Sequence, residues 1–178
     1  MKIICISGKA QHGKDTCASI MQRLLQEQGK KSRIIHFADL LKYLCKTYFD
    51  WNGEKDNYGR TLLQRVGTDT IRQQKPNYWV DFVIDFLKLF PDEWDYVIIP
   101  DTRFPNEVSC MKEAFPNTLH VRVIRSNFDN GLSIEQQNHI SETALDNIEP
   151  DVVIMNDGSP RDLLHSIDKF LDMIGGEN

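Results

Sequence analysis

Gly8-Lys9-Ala10-Gln11-His12-Gly13-Lys14-Asp15-Thr16 is the stretch whose reading decides the fold. Its G-x-x-x-x-G-K spacing takes its meaning from what lies on either side. Before it, Lys2 to Ser7 is a short apolar run of strand type, and after it Cys17, Ile20, Met21, Leu24 and Leu25 recur at helical spacing. Two glycines and a lysine can simply cap a helix, but strand, glycine turn and helix in succession is the setting of a polyphosphate cradle. Gly8 and Gly13 let the chain turn tightly, so that consecutive backbone N–H groups point inward, and the helix N-terminus adds positive potential. Lys14 is the mobile cation for β and γ phosphates and is expected on a solvent-facing loop. His12, a lone histidine at the loop tip, reads as solvated and without a catalytic role.

The same alternation continues outward from this unit. Gly29 ends the first helix in a left-handed cap, Arg33 to Phe37 is a second strand, and Asp39 to Phe49 is helical. Asp50 to Tyr58 reads as a loop, followed by a helix from about Arg60 to Arg72. Trp79, Phe82, Val83, Phe86, Leu87 and Phe90 recur as one buried helical face, a core stripe rather than a ligand-stacking surface. Tyr96 to Ile99 is a strand, Val108, Met111 and Phe115 mark a helix, and Leu119 to Ile124 is another strand. Ile134 to Leu145 is helix-like. Val152 to Met155 is the last strand, and Ser159-Pro160 opens the final helix. This order predicts an α/β fold of three layers, a parallel sheet of about five strands with helices on both faces.

Composition limits the partners. A length of 178 residues fits one domain, and a formal charge of −5 argues against a general nucleic-acid binder. No apolar run is long enough to span a membrane, and Met1 to Ile6 reads as structure rather than a secretion signal, so a cytoplasmic protein is expected. Cys5, Cys17, Cys45 and Cys110 are scattered without a C-x-x-C pair, which fits reduced thiols better than a zinc site.

Several further residues carry candidate chemistry. Asp15 stands where a metal-binding Ser or Thr usually follows the lysine, with Thr16 behind it. It faces Mg²⁺ waters, the acceptor or an arginine, or else is a carboxylate favoured by the first turn of a helix. Asp101 follows the strand Tyr96 to Ile99, at the sheet edge where ligands bind in open α/β sheets, and is placed to hold a Mg²⁺ water. Arg103 reads either as a phosphate ligand or as the partner of Asp101 in a structural pair.

Together with the loop, His36-Phe37-Ala38-Asp39 with Lys42, Leu63 to Asp69 leading to Arg72 and Trp79, Asp101-Thr102-Arg103-Phe104-Pro105-Asn106-Glu107, and His139-Ile140-Ser141-Glu142 make the chain resemble the phage-type deoxynucleoside monophosphate kinases, a branch of the P-loop nucleotide kinases. The stretches are spread over most of the chain. Phosphomevalonate kinases share a similar loop, and dephospho-coenzyme A kinases the general architecture. The resemblance implies a single P-loop kinase domain, residues 1–178, with a helical acceptor-binding insertion at about 39–90 and a short lid at about 126–141. It implies ATP and Mg²⁺, and a small-molecule nucleotide as substrate for a monomer or homodimer.

Residue by residue, Gly8 to Thr16 would hold the triphosphate. Lys14, Arg103, Arg125 and Asp101 would serve catalysis, and Asp15, Thr16 and Asp101 would reach the metal through water. Asp39, Lys42, Arg72, Asp15 and Arg103 would meet the acceptor, although Asp39 reads equally as a helix cap. Asn156 and Gly158 lie either in the adenine pocket or in an ordinary turn. The lid stretch Ser126 to Ser141 contains no arginine, so the work falls to Arg125 in preference to Arg122, which strand alternation turns to the other face unless the strand ends before Arg125. A nucleotide-responsive binding module that hydrolyses ATP slowly is the reading from another class.

Overall fold

The strand β1 (Lys2–Ser7) is buried on both faces, with Ile3, Ile4, Cys5 and Ile6 all inaccessible to solvent. A strand of this kind can only be central. In the computed structural model, which describes residues 1–54 and 56–176, β1 lies between β3 (Tyr96–Ile99) and β4 (Thr118–Ile124). Lys55, inside the loop expected at Asp50 to Tyr58, and the two C-terminal residues lie outside the described residues. The edges are β2 (Ser32–Ile34), beside β3, and β5 (Val152–Met155), beside β4. All pairs are parallel, and the strand order is β2-β3-β1-β4-β5.

Alternation along β1 divides the core in two. Ile4 and Ile6 face α1 (Lys14–Glu27) and α8 (Pro160–Gly175), through Met21, Leu25, Ile167 and Phe170. Ile3 and Cys5 face the other layer, α2 (Asp39–Tyr48), α3 (Asn57–Gln64), α4 (Tyr78–Leu89) and α5 (Pro105–Ala114). Helices therefore cover both faces, as the alternation of elements predicts. Burial pushes the Cys5 thiol up to about 12 and the Cys17 thiol to about 11, as expected of inert core thiols. Among the described residues no helix is long and apolar enough to cross a membrane.

Four local expectations need correction. β2 ends at Ile34 rather than Phe37, because the Phe37 and Ala38 N–H groups donate to the Asp101 carboxylate, both at 3.0 Å, instead of to a neighbouring strand. The helix expected over 60–72 is α3 followed by a π-helix, Arg65–Arg72. Its wider turns bring Gly67 against Leu41, where a Cβ would lie 2.5 Å from Cδ2, and the Gly67 carbonyl accepts the Trp79 indole N–H at 3.1 Å. The run from Ile134 is two short helices, α6 (Ile134–Asn138) and α7 (Ile140–Thr143), broken at His139, whose backbone is extended.

The fourth correction is the stripe on α4. Trp79, Val83 and Leu87 are buried, but they are joined by Val80 and Ile84, whereas Phe82, Phe86 and Phe90 are exposed. Phe86, Phe90 and Trp94 gather on the surface instead, with ring centroids 5.2 to 6.3 Å apart. A helix apolar around most of its circumference does not reveal its inner face by periodicity.

Beneath the loop, β4 carries a fully buried His120 whose Nε2 lies 2.7 Å from Ser7 Oγ and whose Nδ1 has no hydrogen-bond partner. Burial, with the nearby Arg122 charge next in weight, pushes its pKa down to about 4. Between that value and the unfolded value near 6.5 the unfolded chain binds more protons, so stability is lost as pH falls through this window. Chemical denaturation is expected to record a loss on the order of 2–3 kcal/mol from this residue between pH 7 and pH 4. His120→Gln flattens that part of the acid limb; an unchanged limb in the variant refutes the assignment.

Candidate functional site

The loop between β1 and α1 owes its shape to two glycines in backbone regions that L side chains avoid. Gly8 has φ 142°, and a Cβ there would lie 2.4 Å from the Val123 carbonyl oxygen of β4; Gly13 has φ 95°, and its Cβ would meet Asn156 Nδ2 at 2.5 Å. Asn156 follows β5 and donates to the His12 carbonyl at 2.9 Å, buttressing the loop from outside. His12 is half-buried rather than solvated, since its Nδ1 accepts the Arg125 backbone N–H at 3.2 Å. Burial pushes the His12 pKa below its ordinary value.

Lys14 is also not solvent-facing. It is 8 % exposed and its Nζ donates to the Gly8 and Lys9 carbonyls, at 2.8 and 2.9 Å, inside the curve of the loop. Burial lowers its pKa to about 8, with the Arg103 charge next in weight, so the ammonium still predominates at pH 7. Asp15 and Thr16 open α1 on its exposed side. His36 lies between two carboxylates, 3.7 Å from Asp15 and 3.4 Å from Asp39, and their hydrogen bonds raise its pKa to about 9. Asp39 also accepts the His36 N–H and the Lys42 ammonium, both at 3.0 Å. The structure thus brings Asp15, Asp39 and Lys42 together through His36; the contacts with Asp39 are local, whereas that with Asp15 has no local sequence signal.

Beyond β3, Asp101 and Arg103 do not pair with each other. Asp101 holds the turn at Phe37 and Ala38, while Arg103 Nη1 donates to the Ser141 carbonyl at 3.0 Å and to the Glu142 carboxylate. The Arg103 backbone is set by Glu107, a buried carboxylate that accepts the Arg103 and Phe104 N–H groups at 2.7 and 3.0 Å. Its other oxygen accepts Arg72 Nη2 at 2.7 Å. Arg72 lies 3.8 Å above the Phe104 ring, and its buried Nε has no partner. Burial pushes the Glu107 carboxyl up, opposed first by the Arg72 guanidinium.

β4 ends at Ile124, before Arg125, so strand alternation does not set the relation of Arg122 to Arg125. Arg122 donates to the Leu145 and Ile148 carbonyls, both at 2.6 Å, and Arg125 lies exposed with its guanidinium 4.0 Å above the Phe128 ring. Asn156 and Gly158 stand at the same end of the sheet; at Gly158 a Cβ would crowd Asp162 Oδ2 at 2.7 Å, closing off the cap of α8. A cavity of about 270 Å³ at this corner is lined by Gly8, Lys9, His12, Arg103, Arg122 and Glu142 among others. Sequence reasoning missed Glu107 and Glu142 as organisers, although both lie inside the stretches that carry the resemblance.

No group of three or more His, Cys, Asp or Glu gathers into a metal site among the described residues. Mg²⁺ on a nucleotide needs only one or two carboxylates beside phosphate oxygens and waters. Asp15, with its side chain 80 % exposed, fits that outer role, and each Asp101 oxygen keeps a lone pair for a water after accepting one N–H.

The family model described as deoxynucleotide monophosphate kinase matches residues 23–167, a stretch that begins after the phosphate loop. The deoxynucleotide monophosphate kinase of Enterobacteria phage T4 is 33 % identical over 117 residues, 65 % of this chain and 46 % of the relative. A phosphomevalonate kinase of Drosophila melanogaster is 27 % identical over 123 residues, 65 % of this chain and 62 % of the relative. The chain thus spans about half the length of the phage relative and under two thirds of the insect one. Among solved structures, the APS kinase of Mycobacterium tuberculosis in complex with AMPPNP and APS superposes with a TM-score of 0.58, at 12 % identity over 98 % of both chains. At that identity the likeness speaks for the fold.

Removing the Glu107 carboxylate leaves the half-buried Arg72 guanidinium without its carboxylate partner and two backbone N–H groups without their acceptor. Glu107→Ala is expected to cost about 3–5 kcal/mol in chemical denaturation. A loss below about 1 kcal/mol, the scale of an exposed pair, means that Glu107 does not hold this corner.

Proposed function

The chain belongs to the deoxynucleotide monophosphate kinase family, and from that premise we propose that it transfers the γ-phosphoryl group of ATP to a deoxynucleoside monophosphate, giving the diphosphate. The observation that carries this reading is the position of Lys14 inside the glycine-shaped loop, its ammonium held by two carbonyls that a triphosphate replaces. Phosphoryl transfer asks the protein for alignment and charge rather than covalent chemistry. In this reading Gly8 to Thr16 bind the triphosphate, and Lys14 follows the β and γ phosphates. Asn156 and Gly158 border the adenine, and Arg103 and Arg125 supply guanidinium charge to the transferring oxygens. Bound Mg²⁺ would neutralise phosphate charge there, with Asp15, Thr16 and Asp101 touching its waters.

The acceptor side is the helical insertion at about 39–90 of a single kinase domain. Asp39 and Lys42 present a paired carboxylate and ammonium beside Asp15. Arg72, fixed by Glu107 and Phe104, keeps a buried Nε without a partner, a donor suited to an acceptor phosphate. The segment at about 126–141 acts as the lid that excludes water. The similarity to the Drosophila enzyme favours a second reading, an acceptor of the phosphomevalonate kind. A dephospho-coenzyme A-like acceptor and a nucleotide-responsive binding module without an acceptor stand behind it.

A coupled ADP-release assay with ATP and a panel of deoxynucleoside and ribonucleoside monophosphates, phosphomevalonate and dephospho-coenzyme A separates these readings. Turnover is expected with at least one deoxynucleoside monophosphate; turnover only with another acceptor, or slow hydrolysis alone, overturns the proposal. Lys14→Ala should lower that turnover by about 10²–10³-fold with the circular dichroism spectrum retained. Near-normal turnover in the variant removes the phosphate-loop assignment.

Arg72→Lys keeps the charge but loses the planar fork that a phosphate and Glu107 can share. It is expected to raise the monophosphate KM by about tenfold, the effect of roughly 1.4 kcal/mol, while the ATP KM stays within about twofold. Equal losses for both substrates assign Arg72 to structure alone.

A further inference from the structure

The carboxylate of Glu142 stands where an incoming anion would be expected. Its Oε2 accepts the Ala10 N–H of the phosphate loop at 2.9 Å, and its Oε1 pairs with Arg103. The Glu142 carbonyl accepts Lys9 Nζ at 2.6 Å, and the same ammonium holds both oxygens of Asp146, at 2.6 and 2.8 Å. A loop amide, a loop lysine and an arginine are donors of the kind that stabilise a transferring phosphoryl group. Here all three are occupied by groups of residues 141–146. The Glu142 side chain is only 9 % exposed, so its charge-assisted bond to Arg103 is largely shielded from solvent, whereas the Lys9–Asp146 pair is exposed.

Apart from Arg122, which donates to the Leu145 carbonyl at 2.6 Å, little else holds the segment down. The helices α6 and α7 have five and four residues and bury none of them, and Leu145 is the one buried residue between 126 and 146. The polar contacts of Glu142 and Lys9 therefore dock the segment on the loop. An interaction with these partners cannot coexist with a phosphate on the same donors.

We propose that Glu142 is a positioning residue for Arg103 and an internal competitor for the nucleotide. In the free protein its carboxylate aims the Arg103 guanidinium at the loop and satisfies the Ala10 amide. The triphosphate then takes over these donors, and Glu142 leaves together with residues 142–146. Nucleotide affinity is thereby lowered by the fraction of molecules in which Glu142 still occupies the site, while Arg103 arrives already oriented. This inference rests on the phosphotransfer reading above.

Its signature is a pair of opposite changes. Glu142→Gln preserves size and an acceptor for Ala10 but removes the charge that holds Arg103. Calorimetric titration of the full chain with a non-hydrolysable ATP analogue should show binding about three- to tenfold tighter in Glu142→Gln. The kcat with the acceptor found in the monophosphate panel should fall by about tenfold. A purely structural role would weaken binding and slow turnover together, with a lower Tm. Unchanged or weaker analogue binding by the variant overturns the proposal, and Glu142→Ala, titrated in the same way, decides if the Gln variant does not fold. In the wild-type chain, amide exchange over residues 142–146 should become faster when the analogue binds; unchanged or slower exchange also overturns it. Calorimetry and exchange need no acceptor, so a failed acceptor panel is distinguishable from a failed role for Glu142.

Discussion

The contact on which the site depends is the close approach of Gly8 to the Val123 carbonyl, where even a methyl group would lie 2.4 Å from the oxygen. It follows from β1 being buried on both faces and paired with β3 and β4 at once. A central strand in a parallel sheet has no freedom to tilt, so its exit point is fixed by its neighbours. The chain must leave β1 beside Val123, turn through Gly13 against Asn156, and enter α1 with Lys14 on the inside. The curve of the loop is a consequence of sheet packing before it is a feature of the loop itself.

Around this exit, carboxylates organise backbone. Asp101 holds the N–H groups of Phe37 and Ala38, Glu107 those of Arg103 and Phe104, Glu142 that of Ala10, and Asp151 that of His120. Asp101 and Glu107 act where β2 has ended and α5 has yet to begin, and a buried N–H left without an acceptor would be costly. The acidic balance of the sequence is thus partly structural. A net charge of −5 coexists with a cluster of Lys9, Lys14, Arg72 and Arg103 at one end of the sheet, because several of the acids are committed to holding that cluster in place.

The histidines show how environment separates identical side chains. His120, buried beside Ser7, is pushed down to about 4, whereas His36, between Asp15 and Asp39, is raised to about 9. One is neutral and the other charged at pH 7. Burial without a charged partner disfavours the imidazolium, and two carboxylates favour it. Neither state follows from the residues next to them in the chain, since the ring partners of His120 and the Asp15 partner of His36 come from other elements.

Strand and helix types, their order, and the site of the phosphate loop were legible in the sequence because they depend on local periodicity and on glycines at a fixed spacing. The left-handed cap at Gly29, φ 76°, and the Ser159-Pro160 start of α8 belong to the same class of local signal. The inner face of α4, the three-residue length of β2 and the wide turns of Arg65–Arg72 were decided elsewhere. The surface stacking of Phe86, Phe90 and Trp94, the reach of Asp101 to Phe37, and the space beside Leu41 set them. Pairings that shape the candidate site reach far along the chain, 35 positions for Arg72–Glu107 and 137 for Lys9–Asp146. A charge carries no periodicity by which its distant partner can be read. Only the folded sheet, by bringing the ends of β1, β3 and β4 together, determines which acid meets which base.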